Sequence, residues 1–279
     1  MDRPIGIFDS GLGGLTVVRA VRRRLPAERI VYFGDTARVP YGIKSARTVT
    51  RFAAEACGLL ARYDPKCIVA ACNTASATAL PALAEWFDLP VLGVIEPGVE
   101  QALAACPGGP VGVIATEATV ASGAYRRALE RRAPRIAVVE RACPLLVPIV
   151  EEGRLPQDPI VRAVLAEYLA PLAEAGVGTV VLGCTHYPLL KGAMAAVLGP
   201  DVPLVDSAEA VAEQVAGLLR ADGGLADGRA DGGWRFFVSD NPDRFREVGG
   251  RFLGAPAEPV TLVPAETLSA PPAAVEEQT

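Results

Sequence analysis

The chain is almost without histidine. His186 is the only one in 279 residues, and the six cysteines (Cys57, Cys67, Cys72, Cys106, Cys143 and Cys184) contain no C-x-x-C pair. So few nitrogen and sulfur donors leave no metal-ligand spacing, and no metal is expected. No uninterrupted apolar run reaches about 18 residues, the length that reads as a bilayer-crossing helix, so no membrane partner is expected. No G-x-x-x-x-G-K-[ST] phosphate loop occurs. Gly11 and Gly13 could open a dinucleotide fingerprint, but its third position carries Thr16 instead of Gly or Ala. A net charge of −5 leaves no cationic footprint for nucleic acid. The cluster Arg19, Arg22, Arg23 and Arg24 reads as the solvated face of one helix. Met1-Asp2-Arg3-Pro4 runs into a strand pattern at once, so no signal peptide is expected, and reduced thiols then fit the cytoplasm.

What is present is core material and one repeated arrangement. Hydrophobic residues make up 51% of the chain and charged residues 21%, a globular balance with enough length for one large or two ordinary α/β domains. Val180 to Gly183 is a short apolar run ending at Cys184, with Thr185 and His186 next and a helical pattern from Leu189 to Leu198. Cys67 to Ala71 is a second such run, ending at Cys72, Asn73 and Thr74 and followed by a helical pattern that Pro81 interrupts. Strand, tight turn, helix start is where open α/β sheets bind ligands. A helix start offers free N–H groups and a partial positive charge, which lower a thiol's pKa. Cys57, on a helical pattern, and Cys67, which opens the run to Cys72, read as core.

The remaining pattern alternates strands and helices, which means mainly parallel sheets. Ile5-Gly6-Ile7-Phe8 opens the chain and leads into Asp9-Ser10-Gly11-Leu12-Gly13-Gly14, a turn where backbone should approach a small ligand closely. Val111-Gly112-Val113-Ile114 echoes it before Thr116 and Thr119, as if a second half began there. Ser45 and Asp158-Pro159 are helix starts, and Gly176 is a helix stop. Val91 to Ile95 reads as a strand closed by Glu96-Pro97-Gly98, Ile136 to Val139 as another, and the Gly- and Asp-rich loop 222–233 as a flexible tip. The expected fold is α/β: two pseudo-twofold-related domains with mainly parallel sheets and an active site in the cleft between them. Residues 1–96 would open the first domain, 97–206 would form the second, and 264–279 a disordered tail.

Two thiols facing one cleft can invert a stereocentre: one thiolate removes a proton from a carbon while the opposite thiol delivers one to the other face. Asp9 is a candidate partner for Cys72, and His186 with Glu151 or Glu152 for Cys184. Negative charge on a substrate would rest on N–H groups and hydroxyls around Ser10, Asn73, Thr74, Thr116 and Thr185, with Thr119 beside Thr116.

Asp9 to Gly14, Pro40-Tyr41-Gly42, Ala71 to Ala75 and Leu182 to Pro188 closely resemble the glutamate racemases, and the resemblance extends to about Gly254. It implies cofactor-independent interconversion of L- and D-glutamate, supplying D-glutamate for bacterial peptidoglycan, in a protein that is usually a homodimer; the fold it implies returns residues 207–263 to the domain of residues 1–96, with the substrate between the two domains. By the same resemblance Cys72 and Cys184 match the acid/base thiols, and Asp9, His186 and Glu151 their assisting groups. Asp9, Ser10, Pro40, Tyr41, Gly42, Asn73, Thr74, Thr116, Thr119, Thr185 and His186 form the expected substrate-binding set. The residues alone leave open a racemase for aspartate, a thiol hydrolase built on Cys184 and His186, and a non-catalytic amino-acid-binding module.

Overall fold

The computed structural model describes residues 3–228 and 232–271. In chain order the strands among them are β1 (Ile5–Asp9), β2 (Ile30–Gly34), β3 (Cys67–Ala70), β4 (Val91–Gly93), β5 (Val111–Ala115), β6 (Val138–Ala142), β7 (Thr179–Gly183), β8 (Leu204–Val205), β9 (Trp234–Val238) and β10 (Val260–Leu262). β1, β2, β5 and β7 are buried along their whole length. Such strands read as continuous apolar runs because helices cover both faces of a parallel sheet. Every strand pairing is parallel, so the protein is α/β as expected.

The strands form two sheets, ordered β10-β9-β2-β1-β3-β4 and β6-β5-β7-β8. Without β9 and β10, the two orders are the same: second strand, first, third, fourth. This is the structural counterpart of the sequence echo between Ile5 and Val111. In each sheet the order reverses at the opening strand, and a ligand crevice opens outside the carboxyl ends at that reversal. Asp9 ends β1 and Cys72 lies just past β3, while Thr116 follows β5 and Cys184 follows β7. Each cysteine therefore stands at the switch point of its own sheet. One cluster of buried apolar side chains contains Ile7 and Val69 from the first sheet with Leu182 from the second.

The local signals held where a side chain does the capping. Ser45 accepts from the Thr48 amide at 3.3 Å, and Asp158 from Ile160 at 2.8 Å with Pro159 in the first turn. Gly176 follows the helix Pro159–Glu174 in the left-handed region at φ +61°.

Other expectations need correction. Glu96-Pro97-Gly98 lies inside the helix Ile95–Ala105 rather than closing a strand; Pro97 sits in the first turn, where its missing N–H costs nothing. The strand expected at 136–139 runs from Val138 to Ala142 and takes in Glu140 and Arg141, charges that an edge strand tolerates. Pro81 splits its helical pattern into Asn73–Thr78 and Leu80–Trp86. Within the stretch expected as a tail, residues 265–267 make a turn, and Leu268 and Ala270 pack against the core. Its apolar residues find a groove that a reading of Pro, Ala and Glu content does not reveal. The tip expected in loop 222–233 falls partly, and the tail over 272–279 wholly, outside the described residues.

Candidate active site

Cys72 and Cys184, brought in by different sheets, line one cavity together with Ser10, Pro40, Tyr41, Gly42, Asn73, Thr74, Thr116, Thr185 and His186. Its volume is about 20 Å³, room for about one water, so the two sides are closed on each other. A roomier cavity of about 270 Å³ lies at the amino ends of β2 and β9, beside Ile30 and Trp234, and carries none of these groups.

Three expected site residues stand behind the wall. Asp9 is fully buried. Its Oδ2 accepts from the Gly11 amide at 3.0 Å, and its Oδ1 from the Thr185 hydroxyl of the opposite side at 3.4 Å. Glu151 lies beyond His186: the imidazole Nδ1 is 3.9 Å from the Cys184 sulfur and Nε2 is 3.1 Å from Glu151 Oε1. Glu152 is exposed and binds Arg154 at 2.8 Å instead, so of the two adjacent carboxylates it is Glu151 that reaches the imidazole. Thr119 sits behind Thr116. The hydroxyls of Thr74, Thr116 and Thr119 bond one another at 2.9–3.1 Å, joining the two halves. Thr116 also caps its helix through the Thr119 amide.

Two expected contacts change character. Tyr41 lines the cavity, but its ring packs against Phe52 and its hydroxyl is given to the buried Asp35. The glycine loop approaches protein where a ligand was expected: a β-carbon on Gly13 would stand 2.1 Å from the Thr185 hydroxyl and 2.7 Å from His186 Nδ1. Gly42 is pressed likewise on Thr116, where a β-carbon would fall 2.5 Å from the threonine Cβ.

The family model for Asp/Glu/hydantoin racemases matches residues 13–215. A glutamate racemase of Geobacter metallireducens is 52% identical over 252 residues, 90% of this chain and 93% of that protein. The chain belongs to the Asp/Glu/hydantoin racemase family. Solved relatives have the same shape. A glutamate racemase of Francisella tularensis in complex with D-glutamate superposes with a TM-score of 0.89 at 39% identity, covering 96% of this chain and 100% of that one. One from Thermus thermophilus in complex with beta-chloro-D-alanine gives 0.84 at 49% identity, covering 96% and 99%.

The two thiols of this racemase-family site have unlike surroundings. Burial, with the neighbouring Asp9 charge, pushes the Cys72 thiol up to about 12, against donors from the Ala75 amide and the Ser10 hydroxyl. The expected lowering by a helix start is outweighed here: the helix Asn73–Thr78 is only six residues long, and burial with the Asp9 charge exceeds what the Ala75 amide supplies. Cys184 has no α-helix start at all. A tight 3-10 turn, Tyr187–Leu190, intervenes, and the α-helix begins at Lys191. What faces Cys184 is His186. Burial alone would lower that imidazole, but the Cys184 sulfur and the Glu151 carboxylate outweigh it and raise the ring to about 10. Burial would raise Glu151, yet its bond to His186, the imidazolium charge and Arg244 hold it below the usual range. Asp9 is raised, by burial first, against the His186 charge and the amides of Gly11, Gly14 and Ser10.

The racemase-family cavity also has members that the sequence did not point to. Val39 and Val147 complete its wall. Tyr125 accepts a 2.7 Å bond from the Asn73 amide nitrogen and so orients that side chain. Asp35 holds Tyr41, Arg38 and Ser239 from a fully buried position. None carries a local motif; each matters through what the fold places beside it. Among the described residues no three His, Cys, Asp or Glu side chains are grouped so as to hold a metal ion.

Proposed function

We propose that this chain is a glutamate racemase that exchanges the α-proton of L- and D-glutamate between two thiols with no added cofactor. The observation that carries the reading is a single cavity lined by one cysteine from each sheet, each with its own charged assistant. In the resting site Cys72 holds its proton and Cys184 faces the imidazolium of His186. One cysteine, as thiolate, takes the α-proton on its face of the substrate and becomes a thiol. The electron pair left on the α-carbon is delocalised into the adjoining carboxylate. The opposite thiol then gives its proton to the other face and becomes the thiolate, which leaves the pair set for the opposite enantiomer until the thiols exchange protons with solvent. Asp9, whose charge favours the protonated Cys72, and His186–Glu151, whose imidazolium faces Cys184, bias which sulfur holds the proton.

The amides and hydroxyls of Ser10, Asn73, Thr74, Thr116 and Thr185 would hold the substrate's carboxylates. Relatives named glutamate racemase, one of them in complex with D-glutamate, favour this amino acid. In the same reading, residues 1–96 with 207–263 and residues 97–206 act as two lobes. The D-glutamate supplies peptidoglycan synthesis in the cytoplasm, and the chain works as a homodimer.

The test is incubation of the untagged protein with each enantiomer of glutamate and of aspartate in deuterated water. Glutamate should racemise and take up deuterium at the α-carbon, with aspartate far slower. Cys72→Ala and Cys184→Ala should each abolish racemisation while leaving the fold intact by circular dichroism. Undiminished turnover in either variant would remove the assigned roles.

A further inference from the structure

The last helix, Pro242–Leu253, belongs to the segment that adds β9 and β10 to the first sheet, yet it reaches the charged groups beside Cys184 on the other side. Arg244 donates from Nη2 to the carbonyl oxygen of Glu151 at 3.2 Å, across 93 positions of sequence. Two turns further on, Phe252 sets its ring edge-on to His186, with centroids 5.3 Å apart. Between them Arg251 covers Gly153: a β-carbon there would stand 1.9 Å from the guanidinium. Gly153 is in the left-handed region at φ +77°, which lets the chain turn directly after the Glu151–Glu152 pair. Asn241 caps this helix through the Arg244 amide at 3.1 Å, which anchors the backbone that carries the arginine. A cavity of about 130 Å³ runs alongside, lined by Glu151, Arg244, Phe245 and Gly11.

We propose that Arg244 is a positioning residue: by holding the main-chain carbonyl of Glu151 it fixes the carboxylate to which His186 is bonded, and through it the imidazole that faces Cys184. The proposal rests on the two-thiol reading for its effect on turnover, but not for its effect on the histidine. The Cys72 side has a different support, since Asp9 is held by the Gly11 amide of its own loop and by Thr185. Charged and titratable groups around His186 and Glu151 are Cys184, Asp9, Arg244 and Arg251. Arg244 thus acts on Glu151 in two ways, by a directional bond and by its charge, and the two have opposite consequences for His186. Loss of a nearby cation alone would make the imidazole easier to protonate. Loss of Glu151 from its place 3.1 Å away would make it harder.

Because the chain has a single histidine, its imidazole gives one unambiguous NMR signal in untagged protein. In Arg244→Gln the His186 titration midpoint should fall by roughly one pH unit, and Arg244→Lys should recover part of it. A midpoint that rises or stays put would overturn the proposal, leaving Arg244 a remote charge. Arg246→Gln, on the same helix and paired with Asp243, serves as the control and should not move it. With glutamate as substrate, Arg244→Gln should lower kcat roughly tenfold with KM within about twofold, for both enantiomers. A KM effect without a kcat effect would also count against it. If the wild-type protein exchanges no α-proton on glutamate, the functional reading falls, while the histidine titration still decides the role of Arg244.

Discussion

Gly13 joins sequence to mechanism at a single residue. The glycine loop announces a close backbone approach, but spacing along the chain does not say to what. The contact is Thr185 and His186, from the opposite side of the cavity. Gly13→Ala should therefore act as a wedge: with a β-carbon 2.1 Å from the Thr185 hydroxyl, the groups around Cys184 must shift. A misplacement of about 1 Å costs on the order of 100-fold in rate, so kcat/KM should fall by about that factor, and the overpacking, about 1–3 kcal/mol, should lower the thermal midpoint by several degrees; steady-state kinetics and a melt measure both. Tyr41 makes the converse case. It reads as a substrate contact, yet its hydroxyl belongs to Asp35. Tyr41→Phe leaves a buried carboxylate one donor short, which should cost about 1–3 kcal/mol in a denaturant titration. KM for glutamate should stay within about twofold; a large rise would return the hydroxyl to the substrate.

Among the elements, what decides the charge pattern is that Cys72 caps a helix of only six residues and Cys184 precedes a 3-10 turn. The favourable field of a helix start is outweighed at Cys72 by burial and the Asp9 charge. The pH dependence of stability follows from this. His186 titrates near 10 in the folded protein against an ordinary 6.5. The stability it contributes is fully present below about pH 6.5 and is lost as pH rises through 10. Cys72, raised to about 12 from 9.0, acts in the same direction, because above about pH 9 the unfolded chain releases a proton that the folded one keeps. Stability should thus decline from near-neutral pH into the alkaline range, more steeply above pH 9, as urea midpoints at stepped pH would record. His186→Gln should flatten the part between pH 6.5 and 9. A wild-type protein equally stable at pH 7 and 10 would contradict this account of the site.

At the scale of the molecule, a cavity with room for about one water cannot admit glutamate unless the two sides part. A ligand held between them stabilises the folded state by mass action, about 2.7 kcal/mol at 100 times its dissociation constant. For a chain of this size that corresponds to a rise of roughly 5–10 °C in the melting midpoint. Saturating D-glutamate should produce a rise of that order in the Cys72→Ala variant, which binds without turnover, and no shift at all would mean the cleft is not its site.

The sequence by itself determined most of the elements, the parallel class, the repeated strand–cysteine unit and most of the cavity wall. Those signals are local: apolar runs, caps, and short motifs at strand ends. Only the tertiary structure decided that Glu151 and not its neighbour meets His186, that Tyr41 turns to Asp35, and that Arg244 comes back from the last helix to hold Glu151. Those outcomes depend on which side chains two folded halves press together, and distances across a cleft are not written in spacing along a chain.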